Sequence, residues 1–214
     1  MTNKKEALHI TIAIILMSIV LSLFNIQSIM TSEGLWNYIT YLLYSIIIII
    51  IWVAGKKIAG AYFGVNTDHR ILGLKRYWYW KKTYLKKPFP TGLIIPLLFS
   101  LLSQGSIKIF TFLQTNVTPH IKRTVKKRGK KTYSELDEFD ISLTFMWSII
   151  SLLILSLITN QLGYIELTKY AIYYAAWNLV PLGRIDGLNF LLGGRGLYVF
   201  TWILVLLTIV IILL

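Results

Sequence analysis

A short polar motif ends an apolar stretch near the C-terminus of the chain. Residues 178–187 read Asn-Leu-Val-Pro-Leu-Gly-Arg-Ile-Asp-Gly and bring an amide, a proline, an arginine and a carboxylate together. A charged side chain near the centre of a bilayer costs at least about 2.5–3.5 kcal/mol, so a carboxylate at membrane depth indicates a functional site. The alternative is a kinked membrane helix that ends in a turn, with Asp186 acting as a cap at the water interface.

The proline has a local consequence for the backbone. Pro181 has no N–H to donate to the carbonyl of Trp177, so we expect a kink and an open acceptor that Asn178 or a neighbouring segment covers. We predict that Asn178, Pro181 and Asp186 serve structure more than chemistry. Replacing Pro181 by Ala should then straighten the helix and disturb its packing.

The motif resembles the site-2 protease family, the intramembrane zinc metalloproteases, in its Asn-x-x-Pro-x-x-x-(Leu/Ile)-Asp-Gly pattern. The vestigial motif consists of Asn178, Pro181, Asp186 and Gly187. The resemblance implies that Asp186 stands where the family has its third zinc ligand, beside an earlier helix that carries His-Glu-x-x-His. This chain contains no His-Glu-x-x-His.

A second stretch extends the resemblance and sets its register. Residues 59–65, Ala-Gly-Ala-Tyr-Phe-Gly-Val, are similar to the segment that follows the zinc-binding motif in the family. Counting back from it places Trp52 and Lys56 at the two histidine positions and Val53 at the position of the catalytic base.

Two further segments mark where the resemblance continues and where it departs. Residues 87–92 and the Pro96-containing run after them are similar to archaeal members of the family. Phe145-Met146-Trp147, in contrast, occupies the region where the family usually has Gly-Pro-x-x-Asn. The resemblance covers about residues 40–200.

The register predicts a substitute for the missing metal. A carboxylate kept at the ligand position still needs a positive partner, so we expect the ammonium of Lys56 to pair with Asp186. Lys57 or Arg184 would serve instead if the register differs by one residue or the turn folds back. The alternative is that Lys56 and Lys57 extend to the lipid headgroups.

Close approach of two helices is also predicted at this point. Gly55 and Ala59 are small residues four apart, and such spacing lets helix backbones come together in a membrane. We expect the partner to be the helix that carries the 178–187 motif.

Composition places the chain in the membrane. It has 214 residues, of which 56% are hydrophobic, and several apolar runs near 20 residues long, which is typical of an integral membrane protein. There is no cysteine, so disulfides and thiolate metal sites are excluded and only His and carboxylate ligands remain. We predict an all-α integral membrane protein with a site-2-protease-like core.

About five transmembrane helices and one re-entrant segment are expected. The predicted spans are residues 8–24, with a possible extension to 30, and 35–55, 141–162, 168–182 and 197–214, and the re-entrant segment is 90–113. The expected division is a first anchor with its outer loop at 1–34, a core at 35–196 and a last helix at 197–214. The length of the first span and the lack of a cleavage site favour a retained anchor over a signal peptide.

Charge predicts the orientation. Residues 56–89 carry nine Lys/Arg and residues 114–140 carry seven, so the positive-inside rule puts both on the cytoplasmic side, with the N-terminus. The apolar 90–113 segment must then enter and leave on one side. The chain is predicted to be a multi-pass protein of the cell membrane.

The net charge of +13 has two interpretations. Residues 76–82 interleave Arg and Lys with Tyr and Trp, a pattern that could stack bases. An interfacial belt facing anionic lipid headgroups is the favoured interpretation, because each cation near such lipid gains about 1 kcal/mol. Residues 122–138 are predicted to be a mobile cytoplasmic loop.

The favoured function is a non-catalytic membrane binding or scaffold protein that holds a transmembrane partner and has no cofactor. One alternative is an active zinc protease with displaced ligands, for which the candidates are Asp186, His69 and His120. Both histidines lie in basic segments, where a lone histidine is usually solvated, as His9 is expected to be interfacial. A third possibility is an anchor that binds anionic lipid or RNA through its basic loops.

Overall fold

The computed structural model describes residues 4–23, 32–76, 84–119, 137–182 and 185–213. In chain order the elements are α1 (Lys4–Ser22), α2 (Ser32–Phe63), β1 (Val65–Ile71), β2 (Leu74–Arg76), β3 (Tyr84–Phe89), α3 (Thr91–Leu102), β4 (Leu113–Pro119), α4 (Glu138–Gln161), α5 (Ile165–Leu179), α6 (Asp186–Gly193) and α7 (Arg195–Leu213). Most of the described chain is therefore helical.

Four of the described helices are long and apolar enough to cross a membrane. They are α1, α2 from Leu35 onward, α4 and α7. At 15 residues α5 is shorter, and α3 is an apolar helix of 12 residues. This architecture is that of a helical, multi-pass membrane protein.

Strands occur where the sequence analysis expected only loops. β1 pairs with β4, and β2 pairs with β3 in antiparallel fashion. Buried and exposed residues alternate along β1, which is the two-residue period of a strand with one covered face. The all-α prediction holds for most of the chain but missed these two small sheets within the basic segments.

The predicted span boundaries need three corrections. α2 continues past the predicted end at Gly55 to Phe63, so both lysines at 56 and 57 are helical. The expected inner loop at 183–196 contains the helix α6. The segment at 90–113 folds as α3 followed by irregular chain, and only its last residue belongs to β4.

The chain forms two compact units. The first consists of Met1–Ile46 and His69–Gln114, and the second of Ile47–Asp68 and Thr115–Leu214. In the first unit, α1 packs against α3, and Ser18 lies 3.3 Å from the Tyr38 hydroxyl of α2. Leu72, just after β1, is hydrogen-bonded to two other parts of this unit. Its N–H donates to the carbonyl of Phe112, and its carbonyl accepts the N–H of Gly92, each at 2.9 Å.

The second unit is built around α4, which packs against α5, α6 and α7. The α4–α5 hairpin is tight because Gly163 adopts a φ of +82°. A hydrogen bond of 2.8 Å between the Thr159 and Thr168 side chains joins the two helices just above that turn. Small hydroxyl residues let helices approach closely in a membrane, and their hydroxyls are satisfied by carbonyls of their own helix, as at Ser148 and Ser156.

Pro181 ends a helix instead of kinking one, contrary to the prediction. α5 stops at Leu179 and Val180 is extended, with φ −62° and ψ 125°. The carbonyl of Trp177 accepts the N–H of Val180 at 3.2 Å, so the acceptor expected to be open is satisfied locally. An extended residue before proline avoids the clash with the proline ring, which explains the stop.

Some predictions fall outside the described residues. These are the loop at 122–138 except for its last two residues, most of the aromatic stretch at 76–82, His120, Arg184 and the extension of the first span to residue 30. They stay predictions, as does the three-part division of the chain.

Candidate functional site: a buried ion pair

Asp186 is placed by the break after α5. α5 ends at Leu179, and Asp186 is the first residue of the next helix, α6. A carboxylate in the first turn of a helix is favoured by the dipole of that helix. The side chain does not reach solvent, because Asp186 is only 3% exposed.

Gly187 lets the backbone close on the end of α5. A β carbon at this position would lie 2.6 Å from the carbonyl oxygen of Val180, closer than real β carbons approach. Any larger residue would push α6 and Asp186 away from α5. The glycine of the motif therefore has a packing role.

Lys56 reaches Asp186 from α2. Its ammonium donates to Oδ2 of Asp186 and, at 2.9 Å, to the hydroxyl of Thr115 on β4. Lys56 has no exposed surface. The structure thus confirms the predicted Lys56–Asp186 contact and excludes the alternative in which Lys56 extends to the headgroups.

Aromatic rings complete the surroundings of the ammonium. Nζ of Lys56 lies 3.2 Å from the ring centroid of Trp52, one helical turn earlier, and 5.3 Å from that of Phe145. The Trp52 ring packs edge-on against Tyr174 at 5.6 Å between centroids. A cation over an aromatic face is attracted by the ring quadrupole, most strongly when water is absent.

Trp52 and Lys56, which the resemblance assigns to the two histidine positions, lie together in the structure. Trp52 and Lys56 point to the same place because residues four apart share a helix face. Val53, at the position of the base, is 8% exposed and offers no polar group.

Asn178 stabilises α5 from within. Its Nδ2 donates to the carbonyl of Tyr174 at 2.8 Å, and Asn178 is 4% exposed. The prediction was that Asn178 or a neighbouring segment would cover the carbonyl of Trp177. Asn178 instead covers the carbonyl of Tyr174. The Leu179 carbonyl at the helix end accepts the hydroxyl of Tyr198 on α7, at 2.9 Å.

Gly55 brings α2 against a different helix from the one expected. A β carbon on Gly55 would lie 2.5 Å from Oγ of Ser151 and 3.3 Å from Cα of Ser148, both on α4. The predicted close approach is therefore made, but with α4 and not with the α5–α6 segment. The glycine lies next to Lys56 and fixes the depth of α2 against α4.

Two of the three candidate metal ligands, Asp186 and His69, lie within the described residues. Among the described residues, no three His, Cys, Asp or Glu side chains come together. Asp186 already binds an ammonium, which would repel a dication. His69 belongs to the first unit and is bound to Glu6, whereas His120 lies outside the described residues.

His69 is buried, contrary to the expectation of a solvated loop residue. It has no exposed surface, and its Nδ1 lies 2.9 Å from Oε1 of Glu6 on α1. The same oxygen accepts the backbone N–H of His69 at 3.2 Å. The sequence carries no signal for this pair, because residues 66–70 are all polar and only their burial in the folded chain alternates.

A polar cleft of about 580 Å³ adjoins the ion pair in the second unit. Its lining residues come from β4, the start of α4 and α6, and are Thr115, Asn116, Val117, Thr118, Glu138, Ile141, Asn189, Leu192 and Gly193. Four consecutive residues of β4 contribute. Since alternate side chains of a strand point to opposite faces, a cleft that touches all four runs along the strand edge.

Thr115 connects the cleft to the buried charges. It lines the cleft and also accepts a hydrogen bond from Lys56. Within the described part of the chain, Oδ1 of Asp186 is buried and has no hydrogen-bond partner. The ion pair is thus reached from the cleft through one hydroxyl.

No protein-family model matches the chain, and no match was found among curated proteins or solved structures. The resemblance to site-2 proteases therefore rests on the motif residues alone.

Proposed function

We propose that this chain is a non-catalytic membrane protein, related to the site-2 proteases, that holds a segment of a transmembrane partner without cleaving it. The observation that carries the proposal is the Lys56–Asp186 ion pair. It puts an ammonium beside the carboxylate that the resemblance assigns to zinc. An ammonium can neutralise the carboxylate, but it cannot lower the pKa of a bound water or polarise a peptide carbonyl.

The residues around the ion pair support the binding of a partner segment more than the hydrolysis of a peptide bond. Hydrolysis needs a base to take the proton of the attacking water, and Val53 replaces that base. Trp52 fills the other histidine position with a ring that covers the ammonium. The ammonium is held by Asp186, by the Thr115 hydroxyl and by the aromatic rings, which suits a structural support.

The cleft along β4 supplies a place for an extended partner segment. A strand edge offers N–H and C=O groups to a second strand. Asn116 of β4 and Asn189 of α6 line the cleft and can bond to backbone amides, and Val117 and Leu192 provide apolar contact. In this proposal the partner unwinds locally and lies beside β4.

The proposed topology has five spans, the re-entrant α3 and a cytoplasmic N-terminus. Pairing of β1 with β4 supports a common side for the two basic segments, because paired strands lie about 5 Å apart. α5 covers about 22 Å at 1.5 Å per residue. In the proposed topology, residues 180–182 continue this span beyond α5.

Metal analysis of the purified protein tests the central step. The wild type is expected to hold no stoichiometric zinc after purification in zinc-containing buffer. A variant with Trp52→His, Val53→Glu and Lys56→His should bind about one zinc per chain, since it joins two histidines to Asp186. The same variant with Asp186→Ala is the control and should lose the metal.

A partner assay tests the binding step separately. A photoreactive benzoylphenylalanine at Asn116 or Asn189 should trap an uncut membrane protein in cells, whereas the same group at the exposed Lys169 should not. Stoichiometric zinc in the wild type, together with cleavage that disappears in Asp186→Ala, would establish the protease instead.

A further inference from the structure

A second cavity lies on the outside of the second unit, between α2 and α4. It has a volume of about 530 Å³. This α2–α4 groove is lined chiefly by Gly55, Ile58, Tyr62, Trp147, Ser151 and Ile154. It is separate from the polar cleft and shares no lining residue with it.

The lining is mostly apolar and favours an apolar ligand, although Tyr62 and Trp147 contribute a hydroxyl and an N–H. Ser151 carries a hydroxyl, and that hydroxyl already donates to the carbonyl of Ser148 at 2.8 Å. The other walls are aliphatic or aromatic. Ile58 and Ile154 are 73% and 51% exposed, so the groove is open to whatever surrounds the helices.

The size of the groove excludes a whole helix as its occupant. Along α2 the lining runs from Gly55 to Phe63, about 12 Å at 1.5 Å per residue. A transmembrane helix is itself about 10–12 Å wide and would need contacts along a span of about 30 Å. A volume of about 530 Å³ instead lies in the range of small-molecule sites.

The position of the aromatic rings indicates which small ligand fits. Tyr62 and Phe63 end α2 immediately before β1, and Trp147 faces them from α4. Tyr and Trp prefer the level of the lipid headgroups. A chain that enters beside these rings and continues past Ile58 would follow the path of a lipid tail from its headgroup inward.

We infer that the α2–α4 groove is a binding site for one acyl chain of a membrane phospholipid. Because the surrounding lipid is as apolar as the groove, the preference comes from packing and not from leaving water. A bound chain should therefore be enriched several-fold over the lipid that contacts other helix faces.

Photolabelling in nanodiscs tests this inference. The probe is phosphatidylglycerol with a diazirine on its acyl chain, diluted into phosphatidylcholine, and adducts are mapped by mass spectrometry. Labelling at Ile58, Tyr62 and Trp147 should exceed labelling at the exposed α7 residues Leu206 and Val210 by about fivefold. Equal labelling of the two sets would overturn the inference.

Filling the groove provides the matched comparison. Ala59→Phe adds a ring inside it and should reduce groove labelling to the α7 level, with α7 labelling unchanged. Ile154→Phe, at the exposed rim, should do the same and serves if the first variant does not fold. Ile203→Phe on the exposed face of α7 is the control and should leave groove labelling intact.

A second copy of the chain is the competing occupant. A benzoylphenylalanine at Tyr62 should give lipid adducts and a monomeric protein. A covalent adduct of twice the chain mass would show that another copy fills the groove, and the inference would fail. Unchanged groove labelling in both Ala59→Phe and Ile154→Phe would also overturn it.

Discussion

The two units each contain a buried acid–base pair, and the two pairs are built differently. In the second unit, Lys56 and Asp186 are 130 residues apart and join side chain to side chain. In the first unit, Glu6 also receives the backbone N–H of His69, which remains whatever side chain occupies position 69. We therefore expect the loss of one partner to lower the stability of the protein far more in the Lys56–Asp186 pair than in the Glu6–His69 pair.

The surroundings of the two pairs differ as well. Lys56 carries a full positive charge that needs a carboxylate, a hydroxyl and an aromatic face when water is excluded. The His69 ring is charged only when protonated, so the Glu6–His69 pair can persist as a hydrogen bond without two charges. The Lys56–Asp186 site should therefore behave as a unit whose members depend on one another.

The largest effect is expected from removing one member of the Lys56–Asp186 pair. Lys56→Ala or Asp186→Ala strands a buried charge and should lower the free energy of unfolding by about 3–5 kcal/mol. Unfolding by SDS in mixed micelles measures this. Lys169→Ala, at an exposed lysine of the same unit, should change the value by less than about 0.5 kcal/mol. Similar losses in Lys56→Ala and Lys169→Ala would contradict the ion-pair assignment.

A double variant tests whether Lys56 and Asp186 depend on each other. Lys56→Met with Asp186→Leu replaces both charges by apolar groups, and its loss should be smaller than the sum of the losses in Lys56→Met alone and Asp186→Leu alone by about 1–3 kcal/mol. The same denaturation assay yields the coupling energy. Strictly additive losses would mean that the two side chains do not depend on each other.

A smaller loss is expected when the Glu6 side chain is removed. Glu6→Ala takes away the acceptor of the buried His69 backbone N–H, which should cost about 1–3 kcal/mol. Hydrogen exchange at the His69 amide should accelerate, whereas exchange in α4 should not. Unchanged protection of that amide would show that Glu6 does not hold it.

Two substitutions separate the effect of the aromatic face of Trp52 on stability from the effect of its size. Trp52→Phe keeps a ring beside the ammonium, whereas Trp52→Leu removes it, so the leucine variant should be less stable by about 0.5–2 kcal/mol. The control repeats the two substitutions at Trp52 in a Lys56→Met background. The difference in stability between the phenylalanine and leucine variants should shrink there, because no cation is present. A difference that stays the same there would assign the effect to packing alone.

The smallest effect is expected from a conservative change in the Glu6 pair. Glu6→Gln keeps a carbonyl oxygen for the His69 N–H and loses only the charge, so the loss should be about 1 kcal/mol. Thermal aggregation of the detergent-solubilised protein provides a first measurement. A loss as large as that of Lys56→Ala would remove the distinction between the two pairs.

The membrane helices and one long-range contact could be predicted from the sequence. Apolar runs near the length of a bilayer predict helices because lipid leaves no other partner for backbone groups. The contact between Lys56 and Asp186 could be predicted because the register of the resemblance and the need to neutralise a buried carboxylate pointed to the same residue.

Tertiary structure alone decided the rest of the site. Thr115 joins Lys56 from a strand 59 residues away, and no local pattern states which hydroxyl a distant ammonium will meet. His69 looked solvated because its neighbours in sequence are polar, but α1 covers it with Glu6. From its size alone, Gly55 could have packed against α4 or against the segment that carries Asp186. In the structure it packs against the serines of α4. Burial depends on which elements meet, and that is settled by packing over the whole chain and not by spacing within one segment.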